Sequence, residues 1–173
     1  SLVGSEMCIR DRYMSVDKVR EYLRSYGLED RIKEFDISTA TVAEAAEAVG
    51  VIPARIAKTL SFQSEECGCI LVLMAGDAKV DNKKYRARFG VKPHMLTHED
   101  ALQYTGHAVG GVCPFAVPDS VPVYLDVSLK RFDTVFPAAG SAASAVRLTC
   151  DELERASRSR GWIDVCKGWE EDQ

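Results

Sequence analysis

At 173 residues, with 46% hydrophobic and 28% charged positions, the chain can bury one real core and is too short for several domains. A net charge of −4 excludes a molecule that attracts nucleic acid as a whole, so any such contact must come from a local patch. No run approaches the roughly 18 apolar residues of a membrane span. The six cysteines form neither a CxxC pair nor a zinc-ligand array, which reads as reduced thiols in a cytosolic protein.

Residues 1–13 show no periodicity and place Arg10, Asp11 and Arg12 where a signal peptide needs an apolar core. They resemble translated adaptor sequence and are read as a non-native leader, with Met14 as a natural start, one domain over 14–169 and a tail over 170–173. Ser15 can cap a helix with Val16, Val19, Leu23 and Tyr26 at helical spacing, closed by Gly27. Arg31 to Ile37 is a strand candidate. Thr41 and Glu44 form a capping box for a second helix, with Val42, Ala45, Ala46 and Val49 inward and Gly50 as its stop. Pro53 starts a turn, and Ile56 to Phe62 reads as a strand containing Lys58.

After a polar turn over Ser64 to Gly68, Cys69 to Ala75 is apolar on both faces and predicts a central strand. The Gly76-Asp77 pair ends it. Asp81 can cap a basic helix running to Phe89, and Thr97 to Asp100 opens another that ends near Tyr104. Val121 to Val127, Thr134 to Phe136 and Ala145 to Leu148 are further strands. Thr149 to Glu152 caps a last helix, and Trp162 to Cys166 adds an edge strand. Helices and strands are interspersed without regular βαβ alternation. That predicts an α+β single domain with a curved, mixed, barrel-like sheet surrounded by helices.

Four features bear on chemistry. Gly106 to Phe115 holds three glycines, a cysteine and a proline; Gly110 and Gly111 open positive φ and let a ligand approach bare backbone N–H groups. A tight loop at a strand's edge explains the same composition. Lys58 sits in a strand that should be half buried, either snorkelling from its edge or held as a cation at a pocket floor. Cys113 could be a nucleophile if His94, His98 or His107 supplied a base, or a small residue shaping a pocket. Lys83, Lys84, Arg86 and Arg88, with Lys79 before them, form either a solvated face or a phosphate-contacting patch.

Ala57-Lys58-Thr59-Leu60, Gly76-Asp77, the Gly110-Gly111-Val112-Cys113-Pro114 loop and Phe132 to Phe136 before Gly140 occur in this order. Together they resemble the YbaK/EbsC family, free-standing relatives of the editing domain of prolyl-tRNA synthetase. The resemblance covers about Val16 to Val165. It implies a trans-acting aminoacyl-tRNA deacylase without metal or cofactor, most simply for a tRNA(Pro)-type substrate. It also implies tRNA as partner, a synthetase as a second partner, and a reaction assisted by the substrate's own hydroxyl or thiol. It assigns Lys58 to the acceptor end and the glycine loop to the carbonyl. Thr59, Gly76, Asp77, Gly110, Gly111, Cys113, Pro114, Ala138 and Gly140 are then expected to bind substrate, and Lys83, Lys84, Arg86 and Arg88 to bind tRNA.

Two departures bear on specificity. Cys113 replaces the serine of a GGxSP loop, and Ala138-Ala139-Gly140-Ser141 replaces Ser-Gly-Gly. Both positions are expected to line or border the amino-acid pocket. Readings from other classes are a non-catalytic tRNA- or synthetase-binding module and a Cys113-dependent thioesterase-like hydrolase.

Overall fold

The computed structural model describes residues 15–169; the expected leader, the Met14 start and the 170–173 tail lie outside them. Residues 15–24 form α1, which buries Val16, Val19 and Leu23 on one face as their spacing requires. Ser15, expected as the cap, lies inside the helix with its hydroxyl committed to a buried histidine. The predicted strand over Arg31 to Ile37 shrinks to β1, Ile32–Glu34, preceded by a 3-10 turn over Glu29–Arg31. Beyond it the chain is held by backbone hydrogen bonds from Phe35 N to Ala143 O and from Thr39 N to Ala142 O, at 2.8 and 2.6 Å.

The second helix, α2, spans Val42–Val49, with Thr41 Oγ1 accepting the Glu44 N–H and Gly50 in the left-handed conformation at its end. β2 (Ile56–Ser64) and β3 (Gly68–Ala75) form the antiparallel centre of the sheet. β3 is buried along nearly its whole length, as a strand apolar on both faces must be. β4 (Lys79–Val80) was not foreseen; it leads into α3 (Asn82–Phe89), capped by Asp81, and α4 (His98–Thr105), capped by Thr97.

β5 covers Val123–Asp126, shorter than the predicted Val121 to Val127. Asp126 ends it: one carboxylate oxygen accepts the Ser128 N–H and starts a 3-10 turn, while the other accepts that of Val165, both at 2.9 Å. β6 is Thr134–Pro137. The predicted strand over Ala145 to Leu148 divides at exposed Arg147 into β7 (Ser144–Val146), paired with β1, and β8 (Leu148–Thr149), paired with β6. α5 (Cys150–Ala156) carries a complete capping box from Thr149 and Glu152. The predicted edge strand over Trp162 to Cys166 also divides, into β9 (Trp162–Ile163) beside β5 and β10 (Cys166–Lys167) beside β4.

The main sheet has six strands in the order β8-β6-β2-β3-β5-β9, mixed and curled, in an α+β domain. A large apolar cluster centred on β3 fills one core; a smaller one joins α2 to Ile56 and Phe136. Among the described residues no helix is long and apolar enough to cross a membrane.

Candidate functional site

β2 has a complete partner on one edge and an interrupted one on the other. β3 pairs with all of Ala57 to Ser64. On the opposite edge β6 pairs only with Ile56 and Ala57, and the chain returns as a bridge between Phe62 and Met95, with Leu96 N on Ser61 O at 3.1 Å. Between these two points, among the described residues, no strand stands beside Lys58, Thr59 and Leu60 on that edge. Strand alternation fixes what faces the gap. Ser61 and Gln63 direct backbone groups to that edge, so Thr59 does too.

The gap opens into a cavity of about 320 Å³. Its walls are apolar where α2 and β6 contribute Val42, Ala45 and Phe136, and polar at Thr39, Thr59 and Ser144. Thr59 Oγ1 is buried and has no hydrogen-bond partner among the described residues. A buried hydroxyl left alone is costly, by about 1–3 kcal/mol, which makes this atom a candidate for contact with a ligand in the cavity. Lys58 also lines the cavity, and its Nζ donates to Gly76 O at 3.4 Å. Burial holds the Lys58 pKa below its usual value. An ammonium has three donors, and this one makes a single long bond to the described residues.

Thr39 and Ser144 build the opposite wall. Thr39 Oγ1 accepts the Ser144 N–H at 3.0 Å and donates to Ser144 O at 3.2 Å. Ser144 Oγ in turn accepts from the N–H groups of Ala139 and Ser141, both at 3.2 Å. The 138–144 loop is thereby tied to the segment that precedes α2. Sequence reasoning missed this pair because 105 positions separate its members and neither carries a local signal. His98, exposed at the start of α4, and Met95 complete the rim.

Of the expected substrate residues, Lys58, Thr59, Gly110 and Ala138 meet at the cavity. Gly111 is buried behind it: its N–H closes a turn onto Ala108 O at 3.0 Å, and a Cβ there would stand 2.6 Å from Ser141 Cα. It serves loop-on-loop packing rather than a bare N–H array. Gly140 has φ 98 and packs against the Ser15 carbonyl. Pro114 is buried beside a different, smaller cavity under Tyr22 and Val123. Gly76 sits at the head of Lys58, whereas Asp77 turns away into a bidentate pair with Arg131, at 2.5 and 3.0 Å.

Cys113, expected to line or border the pocket, stands behind Val112, which lines it. Cys113 is fully buried and outside the cavity lining, and burial pushes its thiol up to about 12. His107 lies 3.5 Å from its sulfur, but the ring is committed elsewhere. Nε2 faces Phe115 O at 2.7 Å and Nδ1 faces Ser15 Oγ at 2.5 Å. This neutral tautomer, Nε2–H donating and Nδ1 accepting, staples the loop to α1. A thiolate at Cys113 would be both disfavoured and out of reach.

The family model described as an aminoacyl-tRNA editing domain matches residues 37–156. The "Uncharacterized protein YwhH" of Bacillus subtilis is 54% identical over 157 residues, covering 91% of this chain and all of that protein. A protein of Enterococcus faecalis named "Putative Cys-tRNA(Pro)/Cys-tRNA(Cys) deacylase EbsC" is 28% identical over 62% of this chain and 66% of its own length. A solved structure described as "a putative trans-editing enzyme for prolyl tRNA synthetase" superposes with a TM-score of 0.80 at 32% identity, over 89% of this chain and 98% of that one.

Proposed function

We propose that this chain, which belongs to the aminoacyl-tRNA editing domain family, hydrolyses in trans the ester of a mischarged tRNA, with tRNA(Pro) as the first candidate. The observation that carries this reading is the open edge of β2. There Lys58, Thr59 and Gly110 line one cavity, with a Thr59 hydroxyl that has no hydrogen-bond partner among the described residues and a Lys58 ammonium with a single long bond. A cavity lined by backbone, hydroxyls and one cation suits an acyl group with a developing oxyanion. Lys58 holds the phosphorylated acceptor end as a point charge, and the apolar walls around Val42, Ala45 and Phe136 take the amino-acid side chain.

The described cavity walls carry no cysteine, and His98 on the exposed rim is their one histidine, so the attacking oxygen is water's. It adds to the ester carbonyl, the acyl C–O bond breaks, and the ribose oxygen leaves with a proton. The neighbouring ribose hydroxyl is the nearest group to relay that proton, which keeps the chemistry assisted by the substrate. Cytosolic action and delivery by a synthetase belong to the same proposal. Incubating the protein with Ala, Cys, Ser and Thr each esterified to tRNA(Pro) tests it. Release of at least one amino acid above the spontaneous rate is expected. Binding without release would favour a non-catalytic module of the same fold.

A further inference from the structure

α3 does not present its cations as one face. Lys84 Nζ reaches across to Asp164 Oδ1 and Cys166 O, at 3.1 and 3.0 Å. Arg88 lies over the rings of Phe89 and Tyr124, at 5.1 and 5.3 Å. Lys83 and Arg86 remain, exposed and without an ion pair or hydrogen bond from their side chains to any described residue. Two lysines outside the helix share that condition. The β4–β10 register sets Lys79 directly opposite Lys167, both exposed, while Val80 and Cys166 form the other, more buried rung.

Directly opposed residues of an antiparallel pair project to the same face with Cβ atoms about 4.5–5.5 Å apart, and like charges there destabilise the pair. Among the described residues the nearby carboxylates are bonded to other groups, and only Asp81 also attracts Lys167. The Asp81 carboxylate is engaged with the N–H groups of Lys83 and Lys84, at 2.9 and 3.1 Å. Asp77 is held by Arg131, and Asp164 by Lys84. The ribbon also adjoins the cavity: β4 starts three residues after Gly76, whose carbonyl accepts from Lys58, and Lys79 adds to the lowering of the Lys58 pKa after burial.

We propose that the β4–β10 ribbon, through Lys79 and Lys167 with Lys83 beside them, is a phosphate-binding track that extends the Lys58 end of the cavity and takes an RNA backbone. The inference rests on the deacylase reading and names where the acceptor stem would lie. It moves the nucleic-acid interface from the whole of α3 to a ribbon that the helix only borders. A phosphate between two opposed ammonium groups removes the repulsion that the register builds in.

The test is a salt titration of affinity for an uncharged tRNA(Pro) transcript, with the Lys79→Gln/Lys167→Gln variant against the unaltered chain. The slope of log affinity against log salt becomes shallower by about 0.7–0.9 for each phosphate that no longer meets a lysine. The same variant melts about 1–3 °C higher, because the like-charge pair is gone. A charge-matched Lys18→Gln/Lys33→Gln variant keeps the slope. An unchanged slope in the ribbon variant, or an equal loss in the matched variant, overturns the track. If the unaltered chain releases amino acid from mischarged tRNA while the ribbon variant keeps affinity and slope, only this inference fails. If the unaltered chain neither binds the transcript nor deacylates, the deacylase reading fails and the track with it.

Discussion

The edge of β2 at Lys58 to Leu60 and the base of the 106–115 loop flank one cavity, and they differ in what they leave unsatisfied. At the loop base every reactive-looking group has a partner: His107 is bonded at both nitrogens, and Cys113 is sealed with its thiol raised by burial. At the β2 edge the residues look ordinary, yet among the described residues a threonine hydroxyl has no partner and one edge of the strand is only partly paired. Reactivity by residue type points to the first region. Accounting for polar groups points to the second, and a site made largely of backbone and one cation leaves few other signs.

If that contrast is right, damage to the loop base acts through folding and damage to the edge acts through chemistry. The largest stability loss is expected for His107→Ala, which strands the Ser15 hydroxyl and the Phe115 carbonyl, at about 1–3 kcal/mol for each buried group. Burial, ahead of all other causes, holds the His107 pKa below 6.5. The unfolded chain therefore takes up its proton at higher pH than the folded one. The folded chain thus keeps its stability above about pH 6.5 and loses it as pH falls from there toward the folded value. Urea denaturation between pH 5 and 8 should show that slope in the unaltered chain and a flatter one in His107→Ala.

A smaller loss, about 1–3 kcal/mol, is expected for Gly111→Ala, since its Cβ would meet the Ser141 backbone at 2.6 Å and neither loop is free to yield. The same urea titration reads it. The smallest effect has the opposite sign. Lys58→Met removes a half-buried charge, so stability at neutral pH should rise slightly. The folded pKa of this lysine lies below 10.5, so the penalty is full below the folded value and disappears as pH climbs to the unfolded one. The difference in melting temperature from the unaltered chain should narrow accordingly toward alkaline pH.

Local patterns made much of the frame legible. The β3 run is apolar on both faces, and the caps at Thr41, Asp81, Thr97 and Thr149 stand where short-range hydrogen bonding puts them. What failed was continuity. The stretches from Ala145 to Leu148 and from Trp162 to Cys166 each look like one strand, but their halves pair with different partners, which only tertiary packing decides. Lys58 stood out in sequence as a cation inside a strand, whereas Thr59 came only with the family resemblance. The role of Gly111 stayed open, since a glycine needed for close packing and one needed for ligand approach look identical in sequence. Thr39 and Ser144 gave no signal.

The central claim is that the reaction runs at the β2 edge without the loop's thiol. Single-turnover hydrolysis by Lys58→Ala and Cys113→Ser on the same mischarged tRNA, with circular dichroism confirming both folds, tests it most directly. Removing a charge-assisted hydrogen bond of roughly 1.5–3 kcal/mol should slow Lys58→Ala about ten- to a hundredfold. Cys113→Ser should stay within about threefold of the unaltered chain, because burial keeps residue 113 out of the cavity. A folded but inactive Cys113→Ser beside an active Lys58→Ala would contradict the account and restore the thiol as nucleophile.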